Sequence, residues 1–485
     1  MINSRQVFML FAVILIEGYV VLSTELLAIR QTITYTGSGT DTVAIIIAAV
    51  LMPLAFGYQH GGRFRPHRKR GKLVSVRKKL ILNLVLAALV LVPGMSWIFM
   101  EYFFKTLLPD MGITHRLFQI SVYSAIFLAI PVYLLGQTIP LVSNYFSKNR
   151  LSSITGRILF FSTVGSFMGA VFSTIVLMPH IGVHHTVTLN FILLSSLVVM
   201  LIKRKTSEPV WVMLGLTIIA LFLNSNSVMS DMGIVHNNQY NTAQVLNLGN
   251  ERHLLLNGNW SSMYNTYGRK HAYIEFAEKV AIDPIRESAT PKEILIIGAG
   301  AFTLGYEDTT NHYTYIDLDH DLLETAEKFI LKGKIKENKT FLVEEARAFL
   351  ARSIREKKTY DFIYLDAYLG GMSIPEHLVT REFFQQIKDC LPEGGVFISN
   401  FIASPNFSNS LSRNLDSTVR SVMPYVNRAV IYDQYYVYDN DPDMMVNVAY
   451  IYRKNRDDEK KRTVYTDDKN TLFFDKPQQI PRSEF

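Results

Sequence analysis

The residues best suited to chemistry are carboxylates that close short apolar, β-branched runs. Ile294–Ile297 is such a run, and Gly298 and Gly300 follow it at once in the stretch ILIIGAGAFTLGYEDTTNHYTYIDLD. Glycine in that turn lets the backbone approach a ligand before a helix begins, because no β-carbon stands in the way. About twenty residues on, the run Tyr313–Leu318 brings Asp317 to a strand end, where an acidic side chain can accept from both hydroxyls of a ribose. Glu345 closes a third run and could accept from an adenine amino group, while Asp366 in YDFIYLDAY could meet the reacting end of a ligand. The third glycine of G-x-G-x-x-G is replaced by Thr303, which counts against a dinucleotide more than against a mononucleoside. Any one of these positions also reads as an ordinary tight turn, a helix cap or a solvated acid. Three acids in register after a glycine turn favour a nucleoside site.

The elements that must hold these residues alternate between strand and helix. Helices are expected over 321–331, 346–357 and 381–390, and strands over 340–343 and 396–400, with a turn at 392–395. That spacing implies a largely parallel, doubly wound sheet. Ahead of it, YNTAQVLNLGNERHLLL alternates about Gly249–Asn250 and predicts a β-hairpin, followed by a short element, NGNWSSMYN, and a helix carrying Tyr273 and Glu275.

The first half of the chain has another character. Apolar runs give seven candidate spans, at 6–29, 41–59, 80–103, 117–141, 157–178, 184–202 and 209–227, and so a multi-pass α-helical membrane domain. The expected division is 1–229 for that domain, 230–290 for a β-hairpin subdomain, 291–453 for the nucleoside-binding domain and 454–485 for an extended polar tail. Glu17 interrupts the first apolar stretch and no small-residue cleavage site follows, so a cleavable signal peptide is not expected. The segment 63–79 carries nine Lys or Arg, and the connections near 148–157 and 203–205 are basic too, whereas 31–41 and 179–185 carry none. The positive-inside rule places the basic connections and the N-terminus in the cytoplasm. Seven spans then leave the soluble half outside, unless the segment 210–223 is re-entrant and the soluble half returns to the cytoplasm. Glu17 and Glu25 within the first span read either as a membrane-embedded polar site or as an interfacial pairing of Glu25 with Arg30 and a helix contact of Glu17. Gly165, Ser166, Gly169 and Ala170 have a spacing suited to close helix packing. The net charge of +7 lies largely in membrane-flanking loops and calls for no nucleic acid. The single cysteine, Cys390, excludes a disulfide framework, and the scattered histidines, His184 and His185 included, show no metal-ligand spacing.

With these motifs in hand, the chain resembles the spermidine synthase family, the polyamine aminopropyltransferases, and within it the membrane-embedded members. The soluble likeness rests on LNGNWSS, ILIIGAGAFTLG, YIDLD, EEARAFL, YDFIYLDAY, IPEHLVTREFF and LPEGGVFISN, and the membrane likeness on STELLAIR, YLLGQTIPLVS and GRILFFSTVGSFMGAVFSTIVLMPHIG. The resemblance implies a β-hairpin subdomain before a Rossmann-like methyltransferase-fold domain. It implies decarboxylated S-adenosylmethionine, or S-adenosylmethionine, as co-substrate without a metal, and a small-molecule amine as acceptor. By position it puts Gly298, Gly300, Asp317, Glu345, Ala346 and Asn241 around the nucleoside, Asp366 as proton acceptor, and Tyr273, Glu275 and Tyr368 on the substrate side. The sequence departs from the family where Ala301 and Leu369 replace aspartates and Ile274 replaces a histidine. A methyltransferase or lyase acting on S-adenosylmethionine, and a nucleoside or polyamine sensor coupled to a transporter, therefore stay open. The expected setting is the lipid bilayer of a bacterial-type inner membrane, with the oligomeric state, a homodimer included, left open.

Overall fold

The computed structural model describes residues 4–37, 39–69, 72–146, 151–202, 207–368, 374–431 and 444–455. Leu369 and all but two residues of the expected polar tail lie outside them. Among the described residues, five helices are long and apolar enough to cross a membrane: Gln6–Thr36, Thr40–Arg63, Arg116–Ser143, Ser152–Leu201 and Glu208–Asp231. Val76–Gly94 and Trp97–Asp110 form a sixth candidate, bent by 62°. The single helix expected over 80–103 is broken because Pro93 and Gly94 end one segment and Ser96, in extended conformation, starts the next. The 50-residue passage Ser152–Leu201 turns at Gly182, whose φ of 80° and ψ of 165° suit glycine alone. The two expected helices over 157–178 and 184–202 lie on either side of that turn.

Small residues set the helix contacts. A β-carbon on Gly165 or Gly169 would collide with the backbone carbonyl of Leu15 or Tyr19, so the first and fifth segments pack with their backbones nearly touching. Glu17 and Glu25 are both buried. Arg30 is not turned toward Glu25 in a salt bridge: its Nε donates to the Asn238 carbonyl at 2.7 Å and its Nη2 to Thr242 Oγ1 at 3.1 Å. The first helix is thereby joined to the soluble half.

The C-terminal half contains two sheets. The chain's first two strands, β1 (His67–Lys69) and β2 (Lys72–Val74), form a separate ribbon between two of the long apolar helices. An antiparallel sheet of order β3-β4-β5-β6 follows, comprising β3 (Ile234–Asn237), β4 (Thr242–Leu248), β5 (Glu251–Leu256) and β6 (Asn259–Asn265). The expected hairpin is its centre, with the turn at Gly249–Asn250, while β3 was not expected; it is only 4 residues long and has no clear alternation.

The second sheet has seven strands in the order β12-β13-β11-β10-β7-β8-β9. Five are parallel: β7 (Glu293–Ile297), β8 (His312–Asp317), β9 (Lys339–Val343), β10 (Phe362–Leu365) and β11 (Val396–Ala403). β12 (Asn427–Ile431) and β13 (Val446–Arg453) close one edge antiparallel. This is a methyltransferase-like Rossmann arrangement, and chain order reverses on either side of β7. The connections out of β7 and β10 therefore diverge and leave a crevice at their carboxyl ends. Strands β7, β10 and β11 are buried on both faces, as their unbroken apolar runs require.

Candidate functional site

A cavity of about 1200 Å³ lies between the two sheets, over the carboxyl ends of β7, β8 and β10. Gly298, Gly300, Asp317, Glu345, Ala346, Asp366, Tyr368, Asn241 and Tyr273 all line it. Glu275 does not. Its carboxylate is held by Arg269, with Nε at 2.6 Å and Nη2 at 3.2 Å, and by the backbone N–H of Lys270.

The glycine turn is as tight as its sequence suggests. Gly298 has φ of 91° and donates its N–H to the Ile316 carbonyl at 3.0 Å, while a β-carbon on it would strike the backbone of Asp366. Gly300 has φ of 49° and faces the Ser262 hydroxyl. The same hydroxyl accepts the N–H of Ala301 at 3.0 Å. Ala301 is fully buried and does not line the cavity.

Asp317 ends β8 beside this turn. Its two oxygens accept the backbone N–H groups of Ala299 at 3.0 Å and Asp319 at 3.1 Å, which fixes the carboxylate while leaving lone pairs toward the cavity. Burial pushes its pKa up to about 6 against those hydrogen bonds. Glu345 caps the helix Ala346–Arg355, its Oε2 accepting from Ala348 N–H at 2.8 Å, and its Oε1 lies 3.3 Å from His377 Nε2. The capping reading of this acid is thus real, and it coexists with the cavity position.

Asp366 follows β10 directly and sits across the glycine turn from Asp317. Burial raises its pKa to about 7, opposed by one hydrogen bond from Asn400 Nδ2 at 3.2 Å. A carboxyl poised near neutrality in a cavity can accept a proton at ordinary pH. Tyr368 takes the Ile402 N–H at 2.7 Å and donates to the Asn400 carbonyl at 3.2 Å, so it braces the strand that carries Asn400. Tyr273 donates to the Ser261 carbonyl at 2.6 Å and stacks on His271 with centroids 5.5 Å apart.

Sequence reasoning missed several cavity residues. Asn400, the partner of Asp366, lies within the expected strand ISN. His253 and Trp260, packed edge to face at 4.8 Å, come from the small sheet. It also missed Asp319, the second acid of YIDLD, which is fully buried and accepts from Asn238 Nδ2 at 2.7 Å and Asn241 Nδ2 at 2.8 Å, with His236 Nε2 at 3.2 Å. The His236, Asp319 and Asp321 groups lie close enough to hold an ion, which their sequence spacing concealed. Those oxygens already receive amide donors, so the group forms a hydrogen-bonded brace for Asn241.

The fold and cavity define a Rossmann-like domain with an open site at the carboxyl ends of its strands. Residues 275–438 match the family model described as Spermine/spermidine synthase domain, so the C-terminal part of the chain carries such a domain. A polyamine aminopropyltransferase of Vibrio vulnificus is 34% identical over 137 residues, 27% of this chain and 44% of the relative. One from Hyperthermus butylicus is 29% identical over 157 residues, 30% of this chain and 50% of the relative. The chain thus spans about half the length of the curated relatives it matches. Among solved structures, a spermidine synthase from Thermotoga maritima shares 18% identity with a TM-score of 0.34, covering 50% of this chain and 82% of that one.

Proposed function

We propose that the protein is a membrane-bound transferase that binds an adenosyl sulfonium, decarboxylated S-adenosylmethionine in the first place, and passes its aminopropyl group to a small amine. The observation that carries this reading is Asp366, a buried cavity carboxyl with its pKa raised to about 7 across the glycine turn from Asp317. Gly298 and Gly300 pass beneath the nucleoside, Asp317 takes the ribose hydroxyls, and Glu345 and Ala346 face the adenine. Asn241 closes the nucleoside end, and Tyr273 and Tyr368 border the acceptor. The acceptor nitrogen attacks the aminopropyl carbon bound to sulfur. The C–S bond breaks with its electrons on sulfur, methylthioadenosine leaves, and the amine proton passes to Asp366. The apolar helices anchor the chain in a bilayer.

A second reading is methyl transfer from S-adenosylmethionine. Ala301 favours it, because a buried alanine offers no counter-charge to an aminopropyl ammonium, and a charge-assisted contact is worth roughly 1.5–3 kcal/mol. The test is incubation of the detergent-purified chain with labelled S-adenosylmethionine or its decarboxylated form, with and without putrescine or spermidine, with products identified by mass. Methylthioadenosine with a lengthened amine supports the first reading. S-adenosylhomocysteine with a methylated product moves the assignment to the second, and failure to bind either sulfonium or methylthioadenosine removes both.

A further inference from the structure

The helical half has two ends, and its contacts assign every connection to one of them. The cavity-bearing half sits on the end where the first helix stops: Arg30 reaches Asn238 and Thr242, and Thr34 lies against Gly258 in the turn between β5 and β6. The next helix starts on the same end, since Arg116 bonds Asp41 at 2.6 Å and also reaches the Thr36 carbonyl. Trp97, at the break after Gly94, clusters there with Val228, Met229 and Ile234. The turn at Gly182 is there too: Val183 N–H donates to Asn237 Oδ1 at 3.0 Å, and the ring nitrogens of His184 lie 2.7 and 2.8 Å from Asn237 and Asn226.

The remaining ends face the other way. The segment after Gly182 runs antiparallel to Glu208–Leu223, because Ser195 bonds Thr217 at 2.6 Å while His184 meets Asn226. That helix therefore travels the full depth of the bundle and is not a re-entrant loop. Leu15 and Tyr19 face Gly165 and Gly169 in step, so the fifth segment ascends with the first. Gly57 and Gly61 face Tyr133 and Pro140 in step, so the second and fourth segments descend together. Asn83 meets Leu134 while Gly94 meets Phe127, so the third ascends. Among the described residues seven passages result, with Ser4, Arg63, Val76, Phe146, Leu151, Ile202 and Ser207 at the far end.

The charges divide along the same line. Residues 63–79 carry nine Lys or Arg, and 144–150 and 202–207 add Lys148, Arg150, Lys203, Arg204 and Lys205. On the cavity end, 37–39, 179–185 and 224–230 carry none, and the connection 95–116 carries two, Lys105 and Arg116, each paired with an acid, Glu101 and Asp41. Short basic connections stay in the cytoplasm.

We propose that the nucleoside cavity lies on the non-cytoplasmic side of the membrane. The inference rests on the membrane-bound part of the function proposed above, and it is independent of which group is transferred. It also sets a place in a reaction sequence. An adenosyl sulfonium is a permanent cation that hydrocarbon excludes. The donor must therefore reach this cavity through a preceding translocation step, and the aminopropylated or methylated product is released outside.

The native chain supplies a clean background for a labelling test, because its one cysteine, Cys390, is buried. Lys334, whose side chain is 92% exposed on the soluble half, and Lys78, exposed in the first turn of the helix Val76–Gly94 at the basic end, are each replaced by cysteine in the full chain. Thr359→Cys, also exposed, is a second probe of the soluble half. A membrane-impermeant maleimide is applied to spheroplasts of producing bacteria and then to lysed cells. The expected result is labelling of Lys334→Cys and Thr359→Cys in intact spheroplasts, at least ten-fold over the parent, and of Lys78→Cys only after lysis. The reverse pattern overturns the proposal even if the purified chain proves active. An inactive chain labelled as expected leaves it standing, and release of the chain from membranes by carbonate removes both this proposal and the membrane-bound reading.

Discussion

Gly298 and Asp366 are packed backbone to backbone: a β-carbon at residue 298 would fall inside the carbonyl oxygen of Asp366. The contact arises because Asp366 N–H donates to the Ile297 carbonyl at 2.9 Å as β10 runs beside β7. The glycine turn and the reactive carboxyl are thus positioned by one hydrogen-bonded pair of strand ends.

Gly298→Ala should then damage both ends of the site. Its φ of 91° is strained for alanine, and the new methyl must displace the chain at Asp366. Together these cost about 2–5 kcal/mol. Thermal unfolding in detergent should show a Tm several degrees lower with methylthioadenosine binding lost. Unchanged Tm and binding would mean that the two strand ends can separate freely.

The raised pKa of Asp366 gives a pH dependence with a definite sign. The carboxyl accepts a proton only when ionised, so the single-turnover rate should rise with pH up to about 7 and level off above it. Asp366→Asn should lower the rate by about 10²–10⁴-fold and abolish that limb, while sulfonium binding is kept. Because burial raises this pKa, the protonated carboxyl suits the folded state. Its contribution to stability is therefore complete below about pH 4, the ordinary aspartate range, and declines as pH rises through 7. A rate that is flat between pH 6 and 8 in the parent protein would remove Asp366 as the base.

The glycine-turn frame of the cavity was legible in the sequence because it depends on local chemistry. Gly298, Gly300 and Asp317 are tied to a strand–turn–strand unit whose apolar run and spacing are visible in one short stretch. Asp366 was legible for the same reason. Asn400 and Asp319 were not, since what makes them important is a partner far along the chain: Asp366 lies 34 positions from Asn400, and Asn241 lies 78 from Asp319. Glu275 shows the converse. Motif position suggested a place beside the acceptor, but the neighbouring Arg269 holds the carboxylate outside the cavity. The break between Gly94 and Trp97 was obscured because both flanks are apolar enough to belong to one span.

Asp319 supplies a third prediction. It gathers Asn238, Asn241 and His236 around a fully buried carboxylate, and although burial alone would raise its pKa, those donors hold it below the usual aspartate range. Asp319→Ala leaves the Asn241 amide without its acceptor and Asn238 with Asp321 alone, which costs about 1–3 kcal/mol. The expected reading is a fall in Tm together with at least ten-fold weaker nucleoside binding, since Asn241 borders the cavity. Added zinc, manganese or magnesium should not raise the Tm of the parent protein. A saturable rise would show that His236, Asp319 and Asp321 hold an ion in place of the amide network.

Arg30 is the last and most consequential contact, because it passes from the first long apolar helix into the site's support. Arg30 is 5% exposed, and its guanidinium donates to the Asn238 carbonyl and to Thr242, on either side of Asn241. Arg30→Met keeps the helix apolar but leaves both acceptors buried and unpaired, for a loss of about 3 kcal/mol. If the membrane half holds the cavity in shape, this substitution should weaken methylthioadenosine binding as well as lower Tm, although Arg30 touches no part of the cavity. Calorimetric titration of the detergent-purified variant distinguishes the cases. A lower Tm with an unchanged Kd would confine Arg30 to docking the two halves. A Kd raised ten-fold, with partial recovery in Arg30→Lys, would mean that the first membrane helix is part of the binding machinery.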